Sequence, residues 1–150
     1  MSELDEEGHR ELAVETYNTA WDLLDSPERT RDEEDELLAL AFASRHHWGE
    51  AGGEAEQMAV SDWFIGHVAA HLGLAELAVR FSFRALQRVE EVGADGWLRA
   101  SVYEGMTRAF ACSGDTEERA RFQVLAEAAL EAIDDPEERE VIEEQLRSIP

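Results

Sequence analysis

Several residue types are absent or scarce in this 150-residue sequence, which contains no lysine, one cysteine and three prolines. The single cysteine, Cys112, excludes a disulfide within the chain and any zinc site built on several thiolates. No stretch approaches the roughly 18 apolar residues that span a bilayer, and the first residues lack the basic and apolar segments of a secretory signal. We therefore expect a cytoplasmic protein with no membrane partner.

Positive charge is also scarce, because 13 arginines stand against 35 aspartates and glutamates, for a net charge of −22. Nucleic acids and anionic membranes are bound through basic surfaces that neutralise phosphates, so neither is expected as a partner. The excess acid lies at the two ends: the net charge is −11 over residues 1–36, −3 over 37–114 and −8 over 115–150. A partner attracted over long distances should therefore be a basic protein or peptide.

Apolar residues recur at spacings of three and four from end to end, and no window alternates as a half-buried strand does. This periodicity, together with abundant Ala, Leu, Glu and Arg, predicts one all-α domain over residues 1–150. Glycine and proline breaks divide the chain into seven helices. The first four are predicted at about residues 4–24, 27–48, 54–72 and 75–92, and the last three begin at the capping residues Asp95, Asp115 and Asp135.

Small residues on the third and fourth predicted helices form a regular pattern of Gly66, Gly73, Ala78 and Ala85. In a tetratricopeptide repeat, small residues at these positions let two paired helices approach closely. Residues 59–92 therefore resemble one tetratricopeptide repeat.

A second match to the same repeat extends the resemblance to about residue 132. It runs in the order Tyr103, Met106, Phe110, Gly114 and Ala120. The 41 residues between Gly73 and Gly114 exceed the usual period of about 34, so a generic helical bundle is the alternative. The resemblance implies a tetratricopeptide-like superhelix of about three antiparallel helix pairs plus a C-terminal capping helix. The acidic ends fit capping units of such an array, or they are simply a solvated surface.

The resemblance also implies a binding groove, because in this family the first helix of each pair lines the concave face. Six residues are assigned to that face: Trp63, His67, His71, Ser101, Glu104 and Arg108. An arginine can clamp an anionic group, and a tryptophan offers a stacking surface. The expected function is a non-catalytic module that binds a protein or peptide in the groove without a cofactor.

Other interpretations of the same residues stay open. Trp63 could belong to the core, and Glu104 and Arg108 could form an ordinary i,i+4 ion pair. His67 and His71, one helical turn apart, could act with Glu104 in a small-ligand or metal-dependent enzyme or sensor, although the glutamate of the HExxH motif is missing and no metal is predicted. The chain could also be a structural subunit of a homo-oligomer.

Two further clusters are dense in polar side chains. The run from Arg45 to Trp48 ends the second helix, where cationic groups favour the negative end of the helix dipole, and it could also contact a ligand at the edge of the groove. Arg80, Arg84 and Arg88 form a ladder on the fourth helix. We interpret this ladder as a solvated convex face matched to neighbouring glutamates.

Overall fold

A computed structural model describes residues 3–150, and over this range the chain is all α-helical. The predicted fold class is therefore confirmed. The seven helices are α1 (Glu6–Asp25), α2 (Arg31–Glu50), α3 (Ala55–His71), α4 (Ala75–Val92), α5 (Trp97–Ser113), α6 (Thr116–Glu131) and α7 (Pro136–Arg147). None of the helices in this range is long and apolar enough to cross a membrane.

The helix boundaries follow local capping chemistry. The predicted bounds of the fourth helix are confirmed, whereas α2 begins four residues later than predicted. Its start is set by a reciprocal capping box, in which the Glu33 amide donates to the Thr30 hydroxyl at 3.1 Å and the Thr30 amide donates to the Glu33 carboxylate at 3.0 Å. The segment with Ser26 and Pro27 consequently stays in the loop.

The helices pack mainly with their neighbours in sequence. α1 pairs with α2, α3 with α4, and α5 with α6, and α3 and α7 also pack on α5. Rings join α1 to α3, because Tyr17 lies 4.8 Å from Phe64 and Trp21 lies 6.2 Å from Trp63 between ring centroids. The odd-numbered helices therefore contact one another in chain order, an arrangement compatible with a helical repeat.

The close approach of α3 and α4 depends on Gly66. A Cβ atom at this position would lie 2.6 Å from the Ser82 hydroxyl, 3.1 Å from the Ser82 amide nitrogen and 3.2 Å from the Ala78 carbonyl oxygen. Ala78 and Ala85 are fully buried in the same region. These contacts give a physical reason for the small-residue pattern in the sequence.

The core is centred on α3, which is buried from Ser61 to Ala69. Such a helix shows little amphipathicity because α1, α2, α4 and α5 cover it on all sides. A smaller cluster, formed by Ala100, Leu130, Ile133 and Ile142, attaches α7 to α5 and α6. α7 thereby covers part of α5 and reaches the residues considered next.

Candidate functional site

Four of the six predicted groove residues form one buried hydrogen-bonded and stacked set. Trp63, His67, Glu104 and Arg108 have no more than 6% of their surface exposed. His71 adjoins this set at the protein surface, and Ser101 lies apart from it on α5. Burial of the four side chains means that most of the predicted set is closed to a large partner.

Glu104 and Arg108 form a buried ion pair that α7 completes. The Arg108 Nε donates to one Glu104 oxygen at 2.9 Å, and the Trp63 indole donates to the other at 3.3 Å. Arg108 Nη2 donates to the Gln145 carbonyl and to the Ser148 hydroxyl, both at 2.8 Å. Burial raises the pKa of Glu104, and Arg108 and Trp63 oppose that rise by stabilising the carboxylate.

The i,i+4 ion pair and the buried Trp63, which the sequence left as alternatives, are both confirmed. The end of α7 lies over the Arg108 guanidinium and accepts its outer hydrogen bonds. The hydrogen bonds of Trp63, Glu104 and Arg108 therefore join α3, α5 and α7.

The two histidines of α3 are held neutral. The His67 ring stacks on Trp63 at 4.9 Å and meets the His71 ring edge-on at 4.6 Å. Burial, with smaller contributions from Arg108 and His71, lowers the pKa of His67 well below its usual value. His71 is only partly covered, and this partial burial, together with the charges of Arg108 and Arg29, lowers its pKa to about 4.

These residues do not converge as metal ligands. Both Glu104 oxygens already accept hydrogen bonds from Arg108 and Trp63. Over residues 3–150, no group of three or more His, Cys, Asp or Glu side chains is arranged to hold a metal ion. Cys112 lines a separate small cavity of about 300 Å³ beside His71 and Arg108.

An open cavity of about 310 Å³ lies between α1, α3, α5 and α7, and we name it the odd-helix cleft. Its lining is mostly apolar and aromatic, with Ser101, Glu138 and Gln145 as polar members. The lining residues are Tyr17, Trp21, Val60, Trp63, Trp97, Leu98, Ser101, Glu138, Val141, Ile142 and Gln145. Of the predicted groove residues, Trp63 and Ser101 therefore belong to the cleft.

Two exposed apolar side chains stand among the lining residues. Trp97 is 37% exposed and Val141 is 56% exposed. The sequence prediction missed both, although Trp97 lies four residues before Ser101 and therefore on the same helix face. The resemblance to tetratricopeptide repeats could not predict Val141 as a groove residue, because it ends at about residue 132, before α7.

His47 and Trp48, in the polar run at the end of α2, lie against α1, whereas Arg45 of the same run pairs with Asp62 of α3. His47 Nδ1 lies 2.8 Å from His9 Nδ1, and Arg10 lies over the Trp48 ring. Burial and the neighbouring histidines lower the pKa of His47. Trp48 lines a shallow cavity of about 190 Å³ that shares Tyr17 and Val60 with the odd-helix cleft.

The arginine ladder does not have the partners predicted for it. Arg88 pairs with Asp62 of α3 and not with a glutamate, and Arg80 and Arg84 have no carboxylate within 4 Å in the described part of the chain. The prediction of a face matched to neighbouring glutamates is therefore wrong. The reason is that Asp62, although buried in α3, points between α2 and α4 and attracts arginines from both.

Comparison of the chain with family models, with curated proteins and with solved structures finds no match. The likeness to tetratricopeptide repeats therefore depends on the spacing of small residues and on the packing of adjacent helices.

Proposed function

We propose that the protein is a non-catalytic module that binds a protein or peptide partner in the odd-helix cleft, which would be the concave groove of a tetratricopeptide-like array. The observation that carries the proposal is an apolar, aromatic-lined cavity with Trp97 and Val141 exposed beside it. Exposed apolar residues next to a concave site are typical of a binding surface.

The size of the cleft favours a side chain over a large ligand. Its volume of about 310 Å³ is at the lower end of the roughly 300–1,000 Å³ typical of small-molecule pockets. One aromatic or branched aliphatic side chain from a partner would fill much of this space. Tryptophan and tyrosine in the lining provide stacking surfaces for such an anchor.

The charge of the molecule favours basic residues beside that anchor. Glu138 lies in the cleft lining, and the N- and C-terminal segments carry most of the net charge of −22. A peptide with lysine or arginine near its apolar anchor would be attracted at long range and would bind faster at low salt.

The enzyme or sensor alternative with His67, His71 and Glu104 gains no support from the geometry. Glu104 is committed to Arg108 and Trp63, and His67 is enclosed by aromatic rings. A structural role in a homo-oligomer remains the competing use of the exposed Trp97 and Val141, and the following experiment separates the two.

Peptides selected from a displayed random library on the wild-type protein should contain an aromatic or large aliphatic residue flanked by lysine or arginine. Their binding would be measured by tryptophan fluorescence, because Trp21, Trp63 and Trp97 all line the cleft. We expect Val141→Glu to weaken binding at least tenfold, since the cost of covering a charge beside the apolar site exceeds the attraction of one more exposed carboxylate for basic residues, which is about 0–1 kcal/mol.

Val124→Glu is the matched control, because Val124 is 65% exposed on α6 and does not line the cleft. It should change the dissociation constant less than twofold. Equal binding of the selected peptides to wild type and Val141→Glu would contradict the proposal. Sedimentation of the wild type as a stable oligomer that Val141→Glu dissociates would instead support the structural role.

A further inference from the structure

An arginine-rich surface lies on α2 and α4, apart from the odd-helix cleft, and we name it the arginine patch. It consists of two phenylalanines surrounded by four arginines: Phe42, Phe81, Arg45, Arg80, Arg84 and Arg88. The guanidinium carbons of Arg45, Arg80 and Arg84 lie 5.9, 5.7 and 5.8 Å from the centre of the Phe81 ring. Such distances are those of cation–π contacts.

Asp62 anchors two of the four arginines from below. Its two oxygens accept from Arg45 Nε at 2.6 Å and from Arg88 Nε at 2.5 Å, and the carboxylate is fully buried. Because each arginine uses only its Nε atom, the terminal nitrogens of both guanidinium groups keep their donors free of hydrogen bonds within the described residues. Asp62 therefore holds these donors in place without consuming them.

The patch carries unbalanced positive charge. Among residues 3–150, Asp62 is the one carboxylate within 4 Å of the four guanidinium groups, so positive charges outnumber negative ones by four to one at that distance. Glu76, Glu90 and Glu91 lie at the two ends of α4 and form no ion pair with these arginines. Arg80, Arg84 and Arg88 also repel one another, because side chains four residues apart lie on adjacent turns of a helix. A bound anion would relieve this repulsion, in a protein whose net charge is −22.

We propose that the arginine patch docks an extended, acidic peptide segment of a partner protein, with carboxylates at alternate positions. Four residues of α-helix rise about 6 Å, and alternate side chains of an extended chain repeat at about 6.6 Å. Successive carboxylates on one side of the segment would therefore meet Arg80, Arg84 and Arg88 in turn. Phe42, which is partly exposed, would pack against the methylene groups of the segment.

A short peptide fits the electrostatics better than a nucleic acid does. The excess acid lies in residues 1–36 and 115–150, outside the α4 part of the patch. At physiological ionic strength the screening length is about 8 Å, so acidic residues farther than this from the patch have little effect on a ligand confined to it. A long polyanion would extend beyond four arginines and meet the acidic surface.

The test uses fluorescence anisotropy of a fluorescein-labelled peptide that alternates glutamate and serine, at 0.15 M NaCl. The wild-type protein should bind this peptide, and a peptide with glutamine in place of each glutamate should bind at least tenfold more weakly. Arg80→Gln with Arg84→Gln should also weaken binding at least tenfold. This double variant leaves both ion pairs to Asp62 intact, so the fold is retained.

Arg10→Gln with Arg147→Gln is the control for net charge, because it removes two exposed arginines outside the patch. It should change the dissociation constant less than twofold. Equal loss in the two double variants, or no binding of the glutamate peptide to wild type, would overturn the proposal. So would tighter, patch-dependent binding of a labelled single-stranded oligonucleotide, or a self-association of the chain that Arg80→Gln with Arg84→Gln abolishes.

Discussion

His67 is the residue whose environment least resembles the one that the sequence suggests. A histidine on a helix face beside Trp63 and Arg108 can serve a ligand, but here its ring is almost fully buried and its Nδ1 atom has no hydrogen-bond partner within residues 3–150. Burying an unpaired polar atom costs about 1–3 kcal/mol. The ring also loses its ability to take a proton near neutral pH, because burial lowers its pKa.

His67→Phe should therefore stabilise the protein by about 1 kcal/mol at pH 7, since it keeps the stacking on Trp63 and removes the unpaired nitrogen. The advantage should grow as the pH falls from 7 to 5. A histidine with a lowered folded-state pKa contributes stability above its unfolded pKa of about 6.5, and that contribution is lost on acidification. Urea unfolding of wild type and variant at both pH values measures the difference.

His67→Ala is the control for this substitution, because it also removes the imidazole but leaves a cavity beside Trp63. It should lower the free energy of unfolding by about 2 kcal/mol or more. A His67→Phe variant less stable than wild type at pH 7 would contradict this prediction.

How far single residues can be predicted depends on what covers them. Helical periodicity correctly places Trp63 and His67 on one face of α3, and Glu104 and Arg108 on one face of α5. It cannot indicate that α7 closes over Arg108, because the contacts with Gln145 and Ser148 join residues about 40 positions apart. Burial of the candidate site is thus a tertiary effect.

At the scale of elements, the pairing of α3 with α4 is the packing that the sequence predicts best. Gly66 permits this contact because a Cβ atom would meet the Ser82 backbone nitrogen at 3.1 Å and the Ala78 carbonyl oxygen at 3.2 Å. Backbone atoms of a packed helix cannot move aside as the end of a flexible side chain does. The small residue at position 66 is therefore a direct consequence of the short distance between α3 and α4.

Gly66→Ala should destabilise the protein by about 1–3 kcal/mol, because the two helices must separate or shift to admit the methyl group. Gly49→Ala is the matched control within a helix: a Cβ atom there would meet nothing within 4 Å, and the φ angle is not positive. This control should be neutral or up to about 1 kcal/mol stabilising, since alanine favours helices. Thermal unfolding of both variants measures the contrast, and equal effects would refute the close-packing argument.

Two of the three predicted aspartate caps are confirmed. Asp115 and Asp135 cap α6 and α7, whereas the prediction that Asp95 caps α5 is wrong. Gly96 occupies the N-cap position of α5, and the Asp95 carboxylate accepts a hydrogen bond from Arg99 Nε at 3.1 Å. The start of α2 was misplaced because Ser26 and Pro27 resemble a helix start, whereas Thr30 and Glu33 satisfy two backbone amides together. At α2 the start lies where the capping box satisfies two backbone amides.

At the scale of the whole molecule, the two proposed surfaces have opposite charge preferences. The odd-helix cleft, with Glu138 in its lining, suits an apolar anchor with basic neighbours. The arginine patch on α2 and α4 suits an acidic segment. A partner that carries both kinds of segment would engage both surfaces, and its affinity would exceed that of either segment alone.

The net charge itself should limit the stability of the fold, because 35 acidic residues repel one another in the compact state. Added salt screens this repulsion, and little attraction is lost in exchange: residues 3–150 contain five ion pairs, three of which bury their carboxylate completely. At pH 7, raising NaCl from 20 to 300 mM should therefore increase the free energy of unfolding. Each kcal/mol of added stability should raise the melting temperature by about 2–4 °C. Near pH 4.4, the isoelectric point expected from the composition, the same addition should have almost no effect. A melting temperature that falls with salt at pH 7 would show that ion-pair attraction outweighs the repulsion among the acidic residues.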